Sequence, residues 1–271
     1  MKKFKLGWVT DPHIDHCSKD SKSTLFNEIK AARLDGLMVT GDITTSSKTS
    51  EHLYELADLM NPKQLFFVLG NHDFWGSNMV KVRNAAQSVA IAEGHVNYLP
   101  SCDPIELSTN TCITGVDGWY DAAVGNLYKL IMNEWRYMSD FAGLQGDPRL
   151  VAAKSKEIAS IEADLAKILL KKGAEGYHNV IFATHIPPWP ESAWYMHHQS
   201  EDGYVPWFSS ITIGKAIEEV ALEFPSTNFH VFCGHTHGSG EYWPSKNIRC
   251  RTGKPGVGDY GNPKLVEVLY V

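Results

Sequence analysis

Long apolar runs are missing from this 271-residue chain. The clearest, Leu65–Leu69 and Val180–Ala183, fall far short of the ~18 residues that span a bilayer, so no membrane-spanning helix is expected. A basic excess is missing too. The net charge is −6 and no sustained Lys/Arg run occurs, which disfavours a nucleic-acid polymer as partner. The cysteines, Cys17, Cys102, Cys112, Cys233 and Cys250, form no C-x-x-C pair and no even disulfide framework. The first residues are basic, but Asp11-Pro12 arrive before the apolar core of a signal peptide can form. A reducing, cytoplasmic setting is the expectation. There is no internal repeat and no Ser/Pro/Gly linker, so one domain over 1–271 is expected. Neither a G-x-S-x-G elbow nor a G-x-x-x-x-G-K-[ST] phosphate loop is present, which leaves serine-nucleophile and P-loop chemistry without support.

What is present is an ordinary globular composition, 43% hydrophobic and 21% charged. Lys3–Thr10 alternates Phe4, Leu6 and Trp8 with smaller or polar residues, the period of a strand. Helical spacing follows in Ser23–Leu34, then a buried-strand run at Leu37–Thr40, a helix at Ser50–Met60, a strand at Leu65–Leu69 and a helix at Met79–Ala92. This β-α-β-α-β-α order predicts a layered α/β fold with its site at the carboxyl ends of the strands. Short strands are expected at Val96–Leu99, Ile105–Leu107, Cys112–Val116, Asn179–Thr184, Phe229–Cys233 and Lys264–Val271. Between them, Leu150–Lys172 has the stripe of a long amphipathic helix, and a cap-like helical and aromatic insertion is expected at about 117–178.

Chemistry-bearing residues stand where the strands stop: Asp11-Pro12-His13, Gly41-Asp42, Gly70-Asn71-His72-Asp73, Thr184-His185 and Gly234-His235-Thr236-His237. Five strands thus deliver Asp, Asn or His to one rim. Carboxylates with neutral imidazoles suit Mn, Fe, Zn or Co and suit Cu(I) poorly. In Asp-x-His and His-x-His, alternate side chains of an extended segment share a side and can face one ion. Taken singly, each element is also an ordinary turn or a hydrogen-bonded histidine; their sequence in this order is what carries weight.

In that order the elements resemble the calcineurin-like metallophosphoesterase superfamily, whose D-x-H, G-D, G-N-H-[DE], H and G-H-x-H pattern is matched without departure from residue 11 to 237. The resemblance implies a β-sandwich flanked by helices and two divalent metal ions at the strand ends. It implies Asp11, His13 and His237 around one ion, Asn71, His185 and His235 around the other, and Asp42 between them. A metal-bridging hydroxide would then attack phosphorus, since two close cations lower the pKa of shared water towards neutrality. His72 would stabilise charge and protonate the leaving oxygen. Asp73 either fixes a neighbouring turn or imidazole, or is itself only a turn residue. The motif variants G-D-x-x-Y and G-D-x-V-D-R-G, which mark the tyrosinate-ligated and protein-phosphatase branches, are absent at Gly41-Asp42-Ile43-Thr44-Thr45.

The expected partner is a small phosphorylated substrate, monoester or diester. A scaffold relative that binds phosphate without turnover would be expected to lack a ligand, and a nuclease of the same superfamily would suit a less acidic chain. Loops between the ligands carry Trp119, Trp194, Tyr195, His197 and His198, which either line the substrate pocket or pack the insertion onto the domain.

Overall fold

A computed structural model describes residues 3–255 and 266–271. Its first half runs β1 (Lys5–Val9), α1 (Lys19–Ala32), β2 (Gly36–Thr40), α2 (Thr49–Met60), β3 (Gln64–Val68), α3 (Met79–Glu93) and β4 (Val96–Tyr98). The chain continues through β5 (Ile105–Ser108), β6 (Thr111–Gly115), α4 (Glu134–Tyr137), α5 (Pro148–Gly176) and β7 (Asn179–Ala183). It ends with β8 (Trp194–Tyr195), β9 (His198–Gln199), α6 (Val205–Phe208), α7 (Ile211–Glu223), β10 (Asn228–Cys233), β11 (Gly240–Ser245), β12 (Ile248–Thr252) and β13 (Glu267–Tyr270). Of the last expected strand, Lys264 and Leu265 lie outside the described residues.

Two sheets result, ordered β13-β1-β2-β3-β4 and β11-β12-β10-β7-β6-β5. Strands β1 to β4 are mutually parallel, as are β6, β7, β10 and β12 in the second sheet, while β13, β5 and β11 are antiparallel edges. Pleating sends Leu6, Trp8, Met38, Phe66 and Val68 of the first sheet against Ile113, Ile181, Ala183 and Phe232 of the second. The opposite face of the first sheet, with Val9, Leu37, Val39, Leu65 and Phe67, is covered by Leu25 and Ile29 of α1, Leu53 and Leu56 of α2 and Val82 of α3. On the second sheet Val180, Phe182, Phe229 and Val231 meet Leu169 and Leu170 of α5 and Ile213, Ile217 and Val220 of α7. The architecture is therefore a helix-flanked β-sandwich, a mixed α/β layered fold. Strands buried on both faces need apolar residues at successive positions, which explains runs such as Leu65–Leu69.

Local signals account for the helix starts. Ser18 accepts from the Ser21 N–H and begins α1 earlier than Ser23, Asn78 caps α3 through Lys81, and Asp147 caps α5 ahead of Pro148. The 117–178 segment divides into two parts. Residues 117–147, with α4, lie beside the strand ends. Helix α5 instead lies alongside α7 and forms a layer of the sandwich, because its Ala163, Ala166, Leu169 and Leu170 stripe is buried against the second sheet. An amphipathic stripe announces a buried face without naming its partner, and the partner of α5 is the second sheet. Among the described residues no helix is long and apolar enough to cross a membrane.

Candidate metal centre

Past the ends of β1 and β2 the parallel ladder continues into the turns: Asp11 N–H donates to Gly41 O, and His13 N–H to Asp42 O at 3.0 Å. Gly41 has φ +86°, and a Cβ there would press on the His185 ring at Nδ1. Gly70 and Gly234 serve close approach only, since a Cβ would overlap Asp42 Oδ1 at the first and Asp11 Oδ2 at the second. Five of the seven expected donors have left-handed backbone: Asp11 (φ 48°), His13 (40°), Asp42 (50°), His235 (68°) and His237 (57°). Asp and His tolerate that region better than most residues, yet each instance costs on the order of 1–3 kcal/mol. Such clustered strain marks a functional site.

The strand ends bring two donor groups together. One acceptor atom each from Asp11, His13, Asp42 and His237 lie within 4.8 Å of one another, and so do atoms from Asp42, His185 and His235. Asp42 belongs to both. The Asn71 oxygen joins the second group, 2.9 Å from His185 Nε2 and 2.7 Å from His235 Nδ1. Each group combines side chains from β1–β3 with side chains from β7 or β10, so it spans both sheets.

The donor set fits divalent cations on its own chemistry. His235 Nε2 donates to Trp207 O at 2.9 Å, leaving a lone pair on Nδ1. The Asn71 amide donates from Nδ2 to Glu134 Oε1 at 2.5 Å, which turns its Oδ1 inward. Two acceptors therefore face each other at 2.7 Å in a buried place, an arrangement a shared cation resolves. His185 is held likewise, with Nδ1 donating to Thr40 O at 2.8 Å.

Electrostatics agree with a site made for positive charge. Burial opposes ionisation of Asp42, but the charges of His185 and His72 outweigh it and hold the carboxyl well below the usual range. Burial likewise opposes a charged His185, yet Asp42 raises that ring to about 10. Burial lowers His235 to about 3 and His72 to about 4, the latter against the pull of Asp42. Asp73 is raised well above the carboxylate range by burial and then by Asp42. Among the described residues its oxygens accept from the N–H groups of Gly70, Thr44 and Ile43 and from no imidazole, tying the β2 and β3 turns together.

His72 sits beside the donors. Its N–H donates to Asp42 Oδ1 at 2.8 Å, its Nε2 lies 3.9 Å from Asp42 Oδ2, and its ring stacks on Trp75 at 3.6 Å between centroids. Tyr195 packs on Tyr204 and Phe208, and Phe208 stands edge-on to His235 at 5.3 Å, so an aromatic cluster adjoins that donor. Trp194 lies over Gly240, just beyond His237. His197 and His198 are exposed at the tip of the β8–β9 hairpin, outside the donor groups.

Trp119 is a correction. It is fully buried and packs on Phe74, Tyr120 and Phe141, so it belongs to the core and no substrate can reach it. Trp119→Ala is expected to lower unfolding free energy by about 3–5 kcal/mol in urea titration, with turnover per folded molecule retained. Glu134 and Trp75, which touch Asn71 and the His72 ring, stand in no motif, and only the fold brings them there.

Comparison with curated proteins finds no significant match. Among solved structures, a dimetal phosphatase from Danio rerio superposes with a TM-score of 0.58 at 15% identity, covering 94% of this chain and 88% of the other. The protein TT1561 of Thermus thermophilus superposes with a TM-score of 0.55 at 10% identity, covering 99% of each chain. At such identities the likeness concerns the fold alone. The sequence pattern of the calcineurin-like phosphoesterases matches residues 4–239, a stretch that takes in every donor from Asp11 to His237. On that match the chain belongs to the calcineurin-like phosphoesterase family.

Proposed function

We propose that the protein hydrolyses a phosphoester of a small molecule, using two divalent ions of the Mn, Fe, Zn or Co type. Asp11, His13 and His237 would hold one ion, Asn71, His185 and His235 the other, and Asp42 both. The observation that carries this reading is the membership of Asp42 in both donor groups, the arrangement a shared carboxylate needs. Ions bound there supply activated water at neutral pH and draw charge from phosphoryl oxygens.

The chain's own residues do the rest. Thr40 O and Trp207 O fix the inward nitrogens of His185 and His235. His72, whose pKa burial lowers to about 4, would gain a proton from solvent once the negative charge of a phosphoester lies beside it and pass that proton to the departing oxygen, returning to the neutral ring. The Tyr195–Tyr204–Phe208 cluster, whose Phe208 stands beside His235, would offer flat apolar faces to a leaving group. Residues 117–147 wall the site of what we take to be one catalytic domain. All five cysteines are free thiols, which suits the cytoplasm.

Metal analysis after gentle purification is expected to give close to two transition-metal ions per chain, with hydrolysis of a nitrophenyl phosphomonoester or its bis-ester under Mn deciding between phosphatase and diesterase. A protein that takes up no Mn and cleaves neither ester would be a scaffold instead. Preference for a DNA duplex over either ester would move the reading to a nuclease.

A further inference from the structure

One carboxylate in the 117–147 segment reaches beneath the centre. Glu134, at the start of α4, is 1% exposed, and its Oε1 accepts from two donors: Asn71 Nδ2 at 2.5 Å and Trp75 Nε1 at 3.0 Å. Its Oε2 is buried with no hydrogen-bond partner among the described residues. An apolar residue would fill that space without the cost of burying an ionisable group, so what Glu134 contributes is the acceptor at Oε1. The effect on Asn71 is directional. A flipped amide would set its oxygen against the carboxylate and its NH₂ against His185 and His235; Glu134 excludes that state. The effect on His72 is indirect. The indole anchored by Glu134 lies under the imidazole at 3.6 Å and 26°, so the hydrogen bond at Nε1 fixes the surface on which His72 rests.

We propose that Glu134 is a positioning residue that, through one oxygen, sets both the inward face of Asn71 and, by way of Trp75, the plane of His72. This rests on the two-ion reading above. It makes the 117–147 segment a part of the machinery and not only a wall, since the ion-facing side chain and the proton-handling side chain share one anchor.

The test is Mn²⁺ titration calorimetry with kcat and KM on the nitrophenyl ester and Tm, for wild type, Glu134→Ala, Glu134→Gln and Trp75→Phe. Glu134→Ala is expected to weaken the second Mn²⁺ by about 10–100-fold. Glu134→Gln keeps an acceptor oxygen and is expected to restore both ions. Trp75→Phe keeps the ring and loses the N–H; it is expected to retain both ions and lower kcat several-fold, with KM unchanged. Wild-type Mn²⁺ affinity in a folded Glu134→Ala, or equal loss in Glu134→Gln, overturns the proposal. If Glu134→Ala does not fold, the remaining pair decides: loss of an ion in Glu134→Gln or unchanged kcat in Trp75→Phe overturns it. Wild type that binds fewer than two Mn²⁺ removes the two-ion reading instead.

Discussion

Asp42→Asn is expected to reduce turnover by about 10³-fold or more, because ions held there would lower the pKa of bound water towards neutrality and the substitution removes the charge that would hold them. The substitution preserves shape. One oxygen remains to accept the His72 N–H, so the β3 turn should keep its place. What disappears is the negative charge that both donor groups share, replaced at the Oδ2 position by an NH₂ facing His13 and His72. Metal content should fall below that of the wild type, read by elemental analysis, while the circular dichroism spectrum stays unchanged. Retention of both ions with full activity would remove the shared-carboxylate role.

His72→Asn is expected to lower kcat by about 10²–10⁴-fold, the range of a lost general acid, with metal content intact. The effect should depend on the leaving group. A nitrophenolate departs without much help, whereas an alkoxide needs the proton, so the deficit should be smaller on the nitrophenyl ester than on an alkyl phosphate. Loss of an ion in this variant, or an equal deficit on both esters, would mean that His72 serves the donors and not the leaving oxygen.

The strand-end donors were legible because each follows an apolar run directly, and a turn that leaves a parallel strand has few places to put its first polar side chain. Gly41, Gly70 and Gly234 were legible as turn residues, but only packing separates the positive φ of the first from the crowding of the other two. The sandwich itself was not readable from alternation: β2 is buried at every position, so its faces look alike in sequence. Strands β11 and β12 carry little sequence signal. β11 alternates between half-buried and exposed positions and contains Pro244, and β12 interleaves Arg249 and Arg251 with its buried residues, so neither has an apolar run. Trp119 and Tyr195 illustrate the same limit. Both are aromatic residues in loops, yet one is sealed under Phe74 and Phe141 while the other packs on the ring beside His235. Glu134 had no signal at all, because its meaning comes from a partner, Asn71, far away in sequence.

Because each donor group takes side chains from both sheets, cations seated there would work as rivets at the mouth of the sandwich. Sliding one sheet over the other would have to tear them loose, and a pair that grips only the aligned arrangement lends the scaffold its own binding energy. Stiffness of the two-layered shell and occupancy of its rim then become one quantity, and a cell short of the right ion would hold a slacker protein as well as a silent one.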